Sequence, residues 1–156
     1  MELKERASKY LELCYRYLAI RNRSEKEIRD YLAKKKAEIE IIEHIVTRLK
    51  QQKFLDDEVF ARGWVRQRAR FRPKGKSALK FELSQKGIAK ELIEKILSED
   101  HEDIPDELTQ AKNLIGRRIE KLKGAPRQEI YQKVGSFLAR RGYDWDTIKK
   151  AIDSLL

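Results

Sequence analysis

The fold is decided by residues 79–97, which have the sequence LKFELSQKGIAKELIEKIL. Its apolar residues lie at helical spacing on both sides of Gly87; they are Leu79, Leu83, Ile93, Ile96 and Leu97. A glycine between two such runs is typical of a helix that ends in the left-handed conformation before a second helix begins. The segment therefore predicts two short helices joined by a tight turn.

The same spacing occurs twice more along the chain. The earlier copy consists of Ile28, Leu32, Ile42, Ile45 and Val46, and the later copy of Val134, Leu138, Ile148, Ala151 and Ile152. Lys86-Gly87 and Arg141-Gly142 occupy equivalent positions, whereas Lys35-Lys36 stands there in the first copy. The pattern predicts an all-α protein, an elongated array of three tandem three-helix repeats. Such an array favours an extended binding surface over a single catalytic pocket.

Capping signals and a change of composition set the boundaries of the repeats. Ser24 and Glu27 match a capping box, and the acidic residues 56–58 suit the start of another helix. Residues 99–107, EDHEDIPDE, contain six acids and one proline. We therefore expect three-helix repeats at residues 1–53, 54–98 and 105–156, with an acidic linker at 99–104.

The composition favours a polyanionic partner, nucleic acid above all. The chain has 156 residues, 40% of them charged, and a net charge of +10. The alternative is a solvated, highly charged helical surface. The first ten residues do not resemble a signal peptide, and no apolar run approaches the roughly 20 residues of a membrane span. We expect a soluble, cytoplasmic monomer with no membrane partner.

The sequence offers little support for catalysis. Its two histidines, His44 and His101, are far apart, and no metal-ligand spacing occurs. Gly75-Lys76-Ser77 resembles the end of a phosphate-binding loop, but the required earlier glycine is replaced by Arg70. Cys14, the single cysteine, lies among apolar residues that favour a buried thiol. We expect no enzymatic activity, no catalytic residue, no metal and no cofactor.

The strongest candidate binding residues are nine cations between positions 62 and 86, where only Glu82 is acidic. They are Arg62, Arg66, Arg68, Arg70, Arg72, Lys74, Lys76, Lys80 and Lys86. Arg62, Arg66 and Arg70 recur at every fourth residue, a spacing at which like charges repel on a helix. This arrangement favours an anionic partner, either DNA phosphates or an acidic protein surface, over a merely solvated face.

The same helix has an apolar face. Phe60, Trp64 and Phe71 fall on one narrow line at 100° per residue. This spacing predicts core packing for Phe60 and Trp64 rather than base stacking, which would require exposed rings. Arg68 falls within the apolar arc, where its stem can lie against the core while its guanidinium reaches water.

Three segments of the chain resemble the RecX family. The middle one is the most specific: FLDDEVFA at 54–61, Trp64-Val65 with Arg68 and Arg70, and QKGI at 85–88. The first is LAIR at 18–21 with Ser24, Glu27 and Ile28, and the last is FLARRGY at 137–143. Together they cover about residues 10–152. The first repeat departs from the pattern, because Lys36 stands where the other two copies have glycine. We therefore expect the second turn of that repeat to be built differently.

The resemblance implies a role that the residue pattern alone does not. Members of this family are built from tandem three-helix units and regulate the recombinase RecA. They lie in the groove of RecA filaments on single-stranded DNA, where they inhibit ATP hydrolysis and strand exchange. They also bind DNA directly. The resemblance thus implies a RecA filament and single-stranded DNA as partners, with double-stranded DNA bound more weakly, and a role in recombination and DNA repair.

Two other functions stay open at this point. Three-helix units can resemble helix-turn-helix domains, so the chain could be a DNA-binding module that acts on duplex DNA without a recombinase. The second helix of each unit contains few Asn or Gln residues, so the sequence offers little for the readout of bases. The chain could also be a helical protein-interaction adaptor whose charge only confers solubility.

Overall fold

The computed structural model describes residues 2–156, and these form nine α-helices and no strand. The helices are α1 (Leu3–Ile20), α2 (Glu25–Lys34), α3 (Ile39–Gln51), α4 (Asp57–Phe71), α5 (Lys76–Gln85), α6 (Lys90–Ser98), α7 (Glu107–Lys121), α8 (Arg127–Arg140) and α9 (Trp145–Leu155). None of these helices combines the length and apolar character that a membrane span requires. The prediction of an all-α chain of three-helix repeats is confirmed.

Each group of three successive helices encloses its own hydrophobic core. Repeat 1 (α1–α3), repeat 2 (α4–α6) and repeat 3 (α7–α9) each have a separate cluster of buried side chains. The residues of the threefold apolar spacing are buried, except Leu97, which is half-buried against the core of repeat 2. The buried ones belong to these three cores, apart from Leu79. The spacing therefore identifies the packing face of the second and third helix of each repeat.

The turn between the second and third helices has the same geometry in all three repeats. Lys36, Gly87 and Gly142 have φ angles of 64°, 78° and 90°, which are left-handed. In each repeat the next residue donates its N–H to a leucine carbonyl five residues back, at 3.0–3.2 Å. The expectation that this turn is built differently in repeat 1, because Lys36 stands in place of glycine, is therefore wrong.

Packing between repeats explains why a lysine is accepted in only one of these turns. A Cβ atom on Gly87 would lie 2.5 Å from the Cβ of Lys26 in repeat 1, and one on Gly142 would lie 2.3 Å from the Cβ of Ala78 in repeat 2. Lys36 is exposed instead. A left-handed lysine carries only a modest backbone cost, so the glycines in repeats 2 and 3 are required chiefly by close contact.

Successive repeats are joined by a recurring carboxylate–amide contact. Asp57, the first residue of α4, accepts a hydrogen bond from the backbone N–H of Glu25, the first residue of α2, at 2.8 Å. Glu107, the first residue of α7, accepts one from the N–H of Lys76, the first residue of α5, at 2.7 Å. Each acid satisfies an amide that its helix leaves without a partner.

Candidate nucleic-acid interface

Helix α4 carries four of the nine predicted binding residues and is held by its apolar side. Phe60, Ala61 and Val65 are buried in the core of repeat 2, and Trp64 is half-buried beside them. Core packing for Phe60 is confirmed. The exposed side of the helix carries Arg66 and Arg70, whose guanidinium groups therefore face solvent.

The acidic segment after α6 lies against α4 and pairs with two of its arginines. Arg62 donates to both carboxylate oxygens of Glu99, at 2.7 and 3.3 Å, and to Glu58 at 3.1 Å. Arg66 lies 3.3 Å from a carboxylate oxygen of Asp103. Hydrogen bonds from Arg62 hold the pKa of Glu99 below its usual range. These contacts relieve the repulsion that the spacing of Arg62, Arg66 and Arg70 alone predicts.

Glu82 pairs with two more of the predicted cations. It accepts hydrogen bonds from Arg68 at 2.7 and 3.1 Å, from Lys74 at 3.0 Å and from the indole N–H of Trp64 at 3.2 Å. The guanidinium of Arg68 also lies 5.0 Å from the centre of the Trp64 ring. Arg68 therefore lies along the apolar face, as predicted, but its charged end is bound to Glu82.

We expect replacement of Glu82 by glutamine to destabilise the protein in a pH-dependent way. Burial would raise the pKa of Glu82, but hydrogen bonds from Lys74, Trp64 and Arg68 outweigh it and lower that pKa. A lowered pKa in the folded state means that the carboxylate stabilises the fold above its unfolded pKa of about 4.3. This stabilisation is lost as the pH falls through the folded pKa.

The measurement is urea denaturation of both proteins at several pH values. At pH 7 we expect E82Q to lower the free energy of unfolding by about 1 kcal/mol. The difference should shrink as the pH falls below the unfolded pKa of about 4.3, and vanish once the pH is below the lowered pKa of the native glutamate. A difference that stays constant down to pH 3 would contradict the role given to the charge. Glu94→Gln, at an exposed residue of α6, is the control.

Lys86, the last of the nine predicted cations, contacts repeat 1 rather than extending into solvent. Its ammonium lies 3.4 Å from a carboxylate oxygen of Glu27 and 5.4 Å from the Trp64 ring centre. Arg21 pairs with the same carboxylate. Burial would raise the pKa of Glu27, but the hydrogen bonds from Arg21 and from the backbone of Ser24 lower it. The ammonium of Lys86 is therefore already paired within the protein.

Four of the nine predicted cations make no ion pair within residues 2–156. They are Arg70, Arg72, Lys76 and Lys80, and all four side chains are exposed. They follow one another from the end of α4, through the loop at 72–75, into the first turns of α5. An incoming anion can bind these four without breaking an existing ion pair, so they form the most accessible part of the predicted site.

Three residues beside these cations were not predicted as part of the site. Phe71, expected on the apolar face, is 72% exposed. It borders two open grooves on either side of α4, of about 370 and 470 Å³. Gln67 also lines both grooves, and Arg21 of repeat 1 lines the smaller one. No signal in the sequence brings Arg21 close to α4, because the contact depends on how repeats 1 and 2 pack.

The described residues contain no feature that indicates a reaction centre. Burial raises the pKa of the Cys14 thiol to about 11, so this thiol is a poor nucleophile at neutral pH. Within residues 2–156, no three His, Cys, Asp or Glu side chains are grouped as ligands of a metal ion would be. The groups that this surface offers to a ligand are the charges of the unpaired cations and the exposed ring of Phe71.

Comparison with known families gives a match for each repeat. Models of the first, second and third three-helix domains of RecX match residues 11–49, 56–97 and 105–152. The chain belongs to the RecX family. The regulatory protein RecX of Prosthecochloris aestuarii is 36% identical over 140 residues, which are 90% of this chain and 89% of that protein.

Longer RecX proteins are similar over part of their length. The regulatory protein RecX of Bacillus pumilus is 36% identical over 136 residues, which are 87% of this chain and 51% of that protein. The chain thus spans about half the length of this relative. The crystal structure of RecX from Lactobacillus salivarius has a TM-score of 0.86, with 97% of each chain covered and 22% identity. This similarity confirms the fold.

Proposed function

We propose that this protein binds RecA filaments on single-stranded DNA and inhibits their ATP hydrolysis and strand exchange, with no catalytic activity of its own. Membership of a family of regulatory proteins is the observation that carries the proposal. The charge is in keeping with it, since 36 Lys and Arg against 26 Asp and Glu favour association with a polyanion. Binding would take place in the cytoplasm, as a monomer.

The unpaired cations give the proposal a physical basis. Phosphates or acidic side chains of the recombinase would bind Arg70, Arg72, Lys76 and Lys80 first, because these make no ion pair within the described residues. Arg62 and Arg66 can join only by exchanging Glu99 and Asp103 for the new anion. Three repeats in a row can contact several neighbouring filament subunits, so one molecule can perturb several ATPase sites.

RecA-catalysed strand exchange is the direct test of this function. Added to preformed filaments at a concentration that saturates them, the protein should lower both the rate of ATP hydrolysis and the yield of exchanged strands. Heat-denatured protein is the control for non-specific effects. If the rate of ATP hydrolysis and the yield of exchanged strands both stay unchanged while sedimentation shows that the protein is bound, the proposed inhibition is wrong.

Action on duplex DNA without a recombinase is the alternative, and the three-helix form of each repeat is the observation that favours it. This function requires preference for particular base pairs. The exposed side of α4 and the start of α5 carries arginines, lysines and one glutamine, Gln67. This set of side chains suits phosphates more than base edges. Equal affinity for random and selected duplexes in gel shifts would count against it.

A further inference from the structure

We infer that the Phe71 ring is a stacking platform for an unpaired base of single-stranded DNA, and that the groove beside it toward repeat 1 takes the flanking phosphates. This inference rests on the DNA binding proposed above and specifies where one nucleotide sits. It also gives a reason for preferring single strands over duplexes.

The exposure of Phe71 is the first observation behind it. The ring is 72% exposed at the last residue of α4, where the chain turns away into the loop at 72–75. Two other exposed aromatic side chains have an aromatic partner: Phe54 lies edge-on to Tyr15 at 5.9 Å and Trp145 lies 6.0 Å from Tyr131. Within residues 2–156, Phe71 and Phe81, which is 65% exposed, have none, and of these two only Phe71 lines the grooves beside α4. Its faces are available to a ligand.

The cations around the ring are the second observation. The groove of about 370 Å³ is lined by three arginines, Arg21, Arg68 and Arg72, together with Trp64, Gln67 and Phe71, and no carboxylate lines it. Arg21 and Arg68 are each bound to a glutamate, whereas Arg72 makes no ion pair within the described chain. A phosphate next to the stacked base would therefore bind Arg72 first, because the other two arginines are already paired.

The opposite groove suits a phosphate less well. It is lined by Arg66 and Arg70, but also by Asp103, which lies 3.3 Å from Arg66. Asp103 lines this groove itself and must be displaced by an incoming phosphate, whereas the glutamates paired with Arg21 and Arg68 do not line the first groove. The charge distribution thus directs the strand from Phe71 toward Arg21, across the junction between repeats 1 and 2.

Selectivity for single strands follows from the position of the ring. A base in a duplex is stacked on both faces, so it cannot lie on Phe71 unless it leaves the helix. An unpaired base has no such cost, and stacking on an aromatic side chain tolerates any base because every base has a π-face. Trp64 cannot serve in this way, because its ring is half-buried and its N–H is bound to Glu82.

The experiment compares a dT oligonucleotide with an abasic oligonucleotide of the same length and the same number of phosphates. Binding of each by the purified protein is measured by fluorescence anisotropy, without recombinase. We expect F71A to weaken binding of the dT strand by roughly 5- to 100-fold, the range for loss of one stacked base. Binding of the abasic strand should stay the same. F71Y, which keeps an aromatic face, should bind dT like the native protein.

Two further variants make the result specific. F54A removes a phenylalanine that is also exposed, at 57%, but lies before α4 rather than at its end, and it should leave dT binding unchanged. F71L keeps an apolar side chain without a ring, and should bind dT as weakly as F71A. Thermal unfolding followed by circular dichroism should show all four variants folded, since both phenylalanines are exposed.

Several outcomes would overturn the inference. They are equal loss of dT and abasic binding in F71A, full dT binding by F71L, which would indicate an apolar contact only, and native protein that binds dT and abasic strands equally. The proposed function fails separately. If the native protein leaves strand exchange unchanged but F71A loses base-dependent binding, the stacking site stands and the recombinase role does not.

Discussion

Replacement of Gly142 by alanine should lower the free energy of unfolding by about 3 kcal/mol. Its φ of 90° is left-handed, which disfavours a side chain by roughly 1–2 kcal/mol. The new Cβ would also lie 2.3 Å from the Cβ of Ala78 and 2.5 Å from its backbone nitrogen. Neither atom can move independently of α5, so repeats 2 and 3 must separate, at a further cost of about 1–3 kcal/mol.

Urea denaturation followed by circular dichroism measures this effect, and Gly116→Ala is the matched control. Gly116 lies inside α7, and a Cβ there has no atom within 4 Å. The same substitution should therefore stabilise the protein by about 0.5–1 kcal/mol, because alanine is the better helix former. Opposite signs for the two variants are the expected result. A G142A protein as stable as G116A would show that the junction does not need the glycine.

Neutralising the four unpaired cations should cause the largest loss of DNA affinity. In a variant with R70Q, R72Q, K76Q and K80Q, each lost phosphate contact should reduce the steepness of the plot of log K against log salt by about 0.7. For four contacts this amounts to about 3, and to a loss on the order of 10³-fold in affinity for a single strand at 0.1 M salt. Fluorescence anisotropy over a series of salt concentrations measures both quantities.

The control for this variant removes the same charge elsewhere. K4Q, K9Q, K149Q and K150Q neutralise four exposed lysines on repeats 1 and 3. They should change the slope of log K against log salt by less than about 0.7, the amount expected for one phosphate contact. The reason is that these lysines lie outside the segment from Arg70 to Lys80. Equal losses in the two variants would mean that the net charge of +10, rather than a defined site, attracts DNA. That result would favour a diffuse electrostatic surface.

The sequence predicts the helices well because their apolar residues recur at the spacing of an α-helix. The two short helices predicted on either side of Gly87 are α5 and α6. The capping box at Ser24 and Glu27 is present, with both of its hydrogen bonds. These features depend on neighbours within four residues, which periodicity and capping rules describe directly.

Phe71 shows where helical periodicity stops being informative. It lies on the same line as Phe60, yet Phe60 is 4% exposed and Phe71 is 72% exposed. Both residues face the same direction from α4, but the core of repeat 2 covers only the earlier part of that line. Periodicity gives the direction of a side chain and says nothing about how far along the helix its neighbours extend.

The ion pairs could not be predicted because their partners are distant in sequence. Arg62 and Glu99 are separated by 37 positions, and Lys86 and Glu27 by 59. Their contacts depend on how the linker and the repeats pack. A cluster of nine cations therefore indicates a binding segment, but only the folded chain shows that Arg70, Arg72, Lys76 and Lys80 are the unpaired ones within the described residues.

The carboxylate–amide contacts at the two junctions give the molecule a polarity. At each junction the later repeat supplies the acid, Asp57 or Glu107, and the earlier repeat supplies the helix amide. Since the two partners are chemically different, the row of repeats has distinguishable ends and no two-fold axis relating them. A DNA strand runs from 5′ to 3′ and is directional in the same sense. A protein of this form that lies along such a strand should therefore bind it in one orientation only.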